Sequence, residues 1–499
     1  MNLIPRGTFY LAKVLLLGLT LSQILGALQV YLSNGELYQK LIHIQQLGYL
    51  LLPNQKIMNG LYHFGPAFWG GLFFTLSIGA GLSIFSYVAV WIWDRIFSRK
   101  KVVLVLLLLV WLFCMVRVNL KGILPLITLY FLIIPIAVFM ATLKWMPQES
   151  RRRIWLNKIL VLLPIILLGI LWMVLINRNV FVGFRDHFFL NHPLGVKIND
   201  FYYNYSLYAA EAIKTLDQKI LKTANLEGIK NESIKPILER ALMDHNYLHV
   251  GKKTMIDLKV LENENNLIFE SGGKRILKVS INDFFSKAEN ILEDFSMKTD
   301  RLYFFRKFTF FSFIIGFPLV IYALLFSLFR LITNLFLNSV ISSVIASILC
   351  FVIGVAFLLP LYNDQVEKVD VKDLTKVFGS ERWQTRVAAL KIVEENGVEI
   401  GDFLVYKRML SSPSIPERCW LVRALSMSRK DETFKDLMTF LDDPSPNVVS
   451  MAYYALGQRG GTSVINEIIK RIETSDYWYT QLYAYHALMR LGWRQTASK

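Results

Sequence analysis

Seven apolar stretches, 9–32, 67–93, 102–118, 123–143, 159–177, 308–329 and 339–361, constrain this chain more than any other feature. A hydrocarbon layer about 30 Å thick needs roughly 20 apolar residues in a helix, and six of the stretches reach about that length. The third is shorter and ends at Arg117, whose long side chain would snorkel to the interface. The first, Phe9 to Leu32, is too long for a secretory leader and lacks a small-residue cleavage site, so it reads as a retained span.

Charge follows the same partition. The net charge is +17, from 55 Lys and Arg against 38 Asp and Glu. Residues 178–301 hold 18 basic and 17 acidic side chains, and residues 362–499 hold 19 and 18. The remainder, beside the apolar stretches, holds 18 basic residues but only Glu36, Asp94 and Glu149 as acids. A basic excess placed there reads as positive-inside topology and contact with anionic lipid at the cytoplasmic face, and no nucleic-acid partner is expected. Arg95, Arg99, Lys100 and Lys101 lie between the second and third stretches, and Lys144, Arg151, Arg152, Arg153 and Lys158 between the fourth and fifth. The loops on the opposite side hold only Lys40, Lys56, Arg117 and Lys121. The N-terminus and the two basic loops are therefore expected to be cytoplasmic, and the C-terminus extracytoplasmic. Arg306 and Lys307 oppose this mildly, but they flank a long domain, where the charge rule is weak. Cys114, Cys350 and Cys419 are too few for a disulfide framework.

The expected domains are a membrane domain over 1–177, an extracytoplasmic α+β insertion over 178–304, two more spans within 305–361, and a helical domain over 364–499. In the insertion, Asp200 to Leu226 has helical spacing, and a second helix is expected from Ser233 to His245. Met255–Leu261, Leu267–Glu270 and Arg275–Ile281 read as strands, with Ser271-Gly-Gly as a hairpin turn, and Phe284 to Phe295 returns to helix.

The C-terminal region repeats itself every 31–32 residues, anchored at Val393, Leu425, Leu456 and Leu488. Ile392, Ala424, Ala455 and Ala487 precede the anchors, and Gly397, Arg429, Gly460 and Gly492 stand four residues after them. Small residues let paired helices approach, and glycine ends a helix in the left-handed conformation. The stretch Asp443-Pro-Ser-Pro-Asn-Val-Val-Ser-Met-Ala-Tyr-Tyr-Ala-Leu-Gly resembles a HEAT repeat of the short, phycobilisome-lyase-like type. That type favours arginine seven residues before the anchor. Arg386 and Arg418 keep it, while Val449 and Gln481 do not. The resemblance covers about 364–495 and implies an α-solenoid that binds proteins or scaffolds assemblies. The fold class expected is thus mainly α: a polytopic membrane protein of about seven spans with a small α+β insertion and a C-terminal α-solenoid.

Candidate functional residues fall into three groups. Ala67, Gly71, Thr75, Gly79 and Ser83 repeat every four residues, widened by Gly70 and Gly81, and form a ridge for close helix contact. That contact is either within the bundle or with a partner span. Arg185, Asp186, His187 and His192 would line a membrane-surface site, or else serve as anchors and helix caps. Tyr453, Tyr477, Trp478 and Tyr479 belong to an aromatic-rich pair of repeats and are candidates for partner binding, since such residues dominate interface hot spots; they also fill repeat cores. Asp244, His245 and His249 are a weaker cluster, because the helix expected there ends near His245.

The middles of most spans lack ionisable residues, which weighs against proton pumping or voltage sensing. Phosphate-binding, dinucleotide, nucleophile-elbow and zinc-protease motifs are missing, so no catalytic residue, metal or cofactor is assigned. The function expected is a membrane-anchored scaffold or assembly subunit in a bacterial inner membrane, holding an envelope protein partner through its repeats. A transporter or lipid-handling bundle is the first alternative, and a membrane-surface enzyme the second.

Overall fold

The computed structural model describes residues 9–147, 155–177, 179–251, 255–366 and 370–496. The chain is mainly helical with one small sheet. It forms two compact units, the first from Met1–Ser33, Phe64–Val180 and Arg301–Tyr362, the second from Asn34–His63, Phe181–Asp300 and Asn363–Lys499.

Among the described residues, six helices are long and apolar enough to cross a membrane: Tyr10–Gln46, Phe64–Arg95, Lys101–Asn119, Pro125–Trp145, Tyr303–Thr333 and Ser339–Asp364. Val161–Leu175 passes the same test only when paired with Val180–Phe189 across a break. The stretch expected to be short, 102–118, is a 19-residue helix. Arg151, Arg152 and Arg153 lie outside the described residues.

Within the first unit, the four-residue ridge meets a second stripe of small residues, Gly18, Ser22 and Gly26, on the first helix. A Cβ placed on Gly71 would lie 2.5 Å from the Ala27 backbone nitrogen, and one on Gly79 would overlap the Ser22 side chain. Ser83 fills the space beside Gly18 in the same way, and Ala67 is wholly buried. Thr75 donates to Gln23 at 2.7 Å, and Gln23 donates to the Phe68 carbonyl at 2.7 Å. The ridge is therefore spent on contacts inside the unit. Small residues at such contacts let helix backbones approach closely, and the hydrogen bonds add to the hold.

Two of these helices widen into π-turns, at Thr75–Gly79 and Ser312–Gly316, and the turns lie against each other. A π-turn breaks the regular hydrogen-bond ladder, and carbonyls near the break take side-chain donors instead. Ser77 donates to the Phe73 carbonyl at 2.6 Å, Ser22 to Phe74 at 3.3 Å, and Trp172 to Ile314 at 3.0 Å. Gly316 and Gly81 touch at the backbone, where an added Cβ on Gly316 would sit 2.6 Å from the Gly81 Cα. Phe74, Tyr130 and Phe305 pack beside them with ring centroids 5.7–6.3 Å apart.

The second unit contains the sheet and the repeats. The strands are β1 (Lys222–Gly228), β2 (Tyr247–His249), β3 (Leu258–Asn263), β4 (Asn266–Ser271) and β5 (Lys274–Ser280), in the order β2-β1-β3-β4-β5. β1 runs parallel to β2 and β3, and β3-β4-β5 form an antiparallel meander. The helix expected to run to Leu226 instead covers Pro193–Glu211, and its expected tail is β1. Residues Lys222 to Leu226 are all buried, so this strand lacks the alternation that marks a half-exposed one. Its side chains join Leu238, Leu242, Phe269, Phe284 and Phe295 in one core.

In the repeats, helices Trp383–Asn396, Ile415–Leu425, Pro446–Arg459 and Trp478–Arg490 stack in sequence, and all four anchors are fully buried. Gly397 closes the first helix at φ +64°, where a side chain would be strained. The arginine register also has a physical role. Arg386 reaches forward to Glu417 of the next repeat, and Arg418 grips Asp443 with two bonds of 2.7 and 3.1 Å. Such bidentate pairs fix orientation as well as spacing.

The ridge gives a direct test. Gly79→Leu is expected to lower stability in detergent by ~1–3 kcal/mol, the usual cost of overpacking. Gly169→Leu, at a position with open space around it, is expected to leave the melting temperature unchanged. Equal behaviour of the two variants would contradict the packing described.

Candidate functional site

The residues singled out in the sequence largely converge on one joint in the second unit, where residues 181–211 meet the repeats. Asp186 lies in a third π-turn, Arg185–Phe189, and is 2% exposed. Its Oδ1 accepts from Arg185 at 2.7 and 2.8 Å, and its Oδ2 accepts from the Trp420 indole at 2.8 Å. His187 stands 3.0 Å from Asp364 and tilts its ring toward Trp383 at 5.8 Å. His192 is exposed and serves a different end. Its Nδ1 accepts from the Gly195 N–H at 3.1 Å and caps helix Pro193–Glu211. The four residues are thus divided among an ion pair, a histidine–carboxylate contact and a helix cap. They do not gather in a pocket.

Along the capped helix, Tyr203 packs on Tyr479 at 4.6 Å and Tyr208 on Trp478 at 5.1 Å. Tyr453, Trp478 and Tyr479 are 3%, 5% and 3% exposed, which corrects the expectation that they offer rings to a partner protein. Their area is already covered, by the repeat interior and by this chain's own insertion. Tyr477, half-buried and edge-on to Tyr479, is the one member of the set still reachable. Aromatic richness marks a buried interface equally well when the partner surface is in the same chain.

Residues 34–63 also dock on the last repeat. Asn54 donates from its amide to the carbonyls of Ile472, Glu473 and Ser475 at 2.9–3.0 Å, and its backbone N–H donates to Gln481 at 2.8 Å. Gln481 occupies the arginine register of the last repeat, so where the internal ladder ends that position holds another segment. Leu50 and Gln495 exchange two bonds of 2.9 and 3.0 Å. Lys40 pairs with Asp257, whose carboxylate also accepts from the Thr223 N–H at 2.8 Å. Burial would raise the Asp257 carboxyl; the Lys40 and Lys219 ammoniums and the Thr223 N–H outweigh it and hold the carboxyl below its usual range. None of Lys40, Asn54, Asp257 or Trp420 carries a motif, and the sequence offers no local signal for them.

A polar cleft of about 370 Å³ lies beside β1 and β2, lined by Asp217, Lys222, Asp244, His245, Glu289 and Glu293 among others. Lys222 is 5% exposed and sits 4.6 Å above the Tyr247 ring; burial pulls its amine down to about 8, partly offset by Asp217 and Asp257. Asp244 also pairs with Arg494 at 2.7 Å. Among the described residues no three side chains of His, Cys, Asp or Glu are grouped to hold a metal ion, so Asp244, His245 and His249 do not form one.

The joint predicts a specific pattern of stability. Asp186→Ala leaves Arg185 buried without its partner and is expected to cost ~3–5 kcal/mol, while Arg185→Met combined with Asp186→Leu is expected to recover most of it. Thermal melts of the purified full-length chain read both. A double variant as unstable as the single one would contradict a purely structural pair.

Comparison with known proteins supports the repeat architecture. Residues 404–489 match the family model described as HEAT repeats, which covers the array from Tyr406 through most of the last helix. Searches of curated proteins and of solved structures return no significant match.

Proposed function

We propose that this chain is a membrane-anchored scaffold or assembly subunit that holds an envelope protein partner on its HEAT repeats. HEAT repeats are a protein-interaction architecture, and that is the observation carrying the reading. The chain occupies the aromatic side of its own array, which leaves other parts of the array surface for a partner. Leu404, 80% exposed, and Met427, 42% exposed, are the apolar side chains offered there, together with Tyr477.

The anchoring is supported by helix Lys101–Asn119, which exposes Val105, Leu106, Leu109, Val110, Leu112 and Phe113 over most of its circumference, a surface suited to lipid. Parity supports seven crossings. Residues 34–63, 181–300 and 363–499 are joined by buried bonds, so each must be separated from the next by an even number of crossings. Counting the broken helix pair as one crossing gives four between the first two segments and two between the last two. The membrane part then comprises 1–177 and 305–361, less the 34–63 loop, which joins the insertion and the repeats. The basic loops favour an N-terminus in the cytoplasm of a bacterial cell and repeats on the far side of its inner membrane, with Arg99, Lys100, Lys101 and Lys144 near anionic lipid.

A conduit for an uncharged or lipid-like substrate is the second reading. Its support is the pair of π-turns in contact, with the Tyr130, Thr309 and Ser312 hydroxyls buried nearby and unbonded among the described residues. The enzyme reading has no comparable support, since Arg185, Asp186 and His192 do not converge.

Photo-crosslinking residues at Leu404, Met427 and Tyr477, in cells, separate the two leading readings. A scaffold gives adducts from these sites to one co-purifying protein and none from Leu109 on the lipid-facing helix. Absence of adducts from every repeat position, with the protein folded, would remove the scaffold reading.

A further inference from the structure

Helix Pro193–Glu211 has one face committed and one face bare. Gly195, Asn199, Tyr208 and Ala209 are buried, and an added Cβ on Gly195 would meet the Phe188 and Phe189 carbonyls. Leu194, Ile198 and Tyr202, at intervals of four, are 65%, 48% and 50% exposed. Three large apolar side chains in one row are out of place in water, and Lys197 lies exposed beside them.

Two contacts tie this row to the end of the apolar run 339–361. His187 bonds to Asp364 at 3.0 Å, and Asp364 stands three residues past the apolar run 339–361 on the same helix. The turn around His187 is therefore held where that helix leaves its apolar stretch. Helix Pro193–Glu211 starts six residues after His187 and packs its first turn on Phe188 and Phe189. A helix held at that level, with leucine, isoleucine and tyrosine outward and a lysine at the flank, has the composition of one lying in the interface plane.

We propose that Leu194, Ile198 and Tyr202 are embedded in the headgroup–acyl boundary of the bilayer, so that helix Pro193–Glu211 holds lipid on one face and the HEAT repeats on the other. The proposal rests on the reading that the apolar helices cross a membrane.

Spin labels test it on the full chain in vesicles of phosphatidylcholine and phosphatidylglycerol. Labels go singly at Leu194→Cys, Ile198→Cys and Tyr202→Cys, with Leu109→Cys as a lipid reference and Lys435→Cys as a water reference, in a background lacking the native cysteines. The expected result is that the three helix labels collide severalfold more with oxygen than with a nickel chelate, as Leu109 does, while Lys435 shows the reverse. Leu109 in lipid with the three labels in water would overturn this proposal alone. Labels shielded from both colliders would mean that protein covers the row, which also overturns it. Leu109 in water would overturn the membrane reading and this proposal with it.

Discussion

Asn54 donates from its side-chain amide to three carbonyls at the end of one repeat helix, Asp186 accepts a hydrogen bond from the Trp420 indole N–H, and Lys40 meets Asp257. These polar groups are largely buried, and a buried donor or acceptor left unpaired costs ~1–3 kcal/mol, more if charged. The bonds therefore join three segments that lie far apart in sequence into one folded unit. The covered aromatic rings and the glutamine at position 481, in the arginine register, belong to the same joined unit.

The first unit is built on a different balance. Where lipid surrounds helices, apolar burial between them yields little, so contact depends on small residues and on satisfied carbonyls. Gly18, Ser22 and Gly26 against Gly71, Gly79 and Ser83 supply the first; Ser22, Ser77 and Trp172 at the π-turns supply the second. The π-turns lie where Gly81 and Gly316 bring two helices to backbone contact, so the irregular backbone and the closest packing occur together.

Features written in local periodicity were legible in the sequence. The apolar runs, the repeat spacing with its glycine terminators and the β4-β5 hairpin depend on near neighbours, and near neighbours leave patterns. The strand β1 did not, because burial on both faces erases alternation. Nor did the fate of Tyr453, Trp478 and Tyr479: a tyrosine reads the same whether its cover is a foreign protein or residues 203–208 of its own chain. Arg185, Asp186 and His187 stand out for their chemistry, yet they matter for their partners Trp420 and Asp364, more than 170 residues away. The ridge on the second span stands between these cases, since its small residues are visible locally but the stripe that receives them lies on another helix.

Residues 34–63, 181–300 and 363–499, joined by the bonds of Asn54, Asp186 and Lys40, would stand together on one side of a membrane crossed by the apolar helices. Single cysteines at Gln55, Lys274 and Lys470, compared with one at Lys100, test it by labelling intact spheroplasts with a membrane-impermeant maleimide. The first three are expected to react from outside, and Lys100 only after the membrane is permeabilised. If any one of the three segments is labelled from the opposite side to the other two, the joint unit and the seven-crossing count are both contradicted.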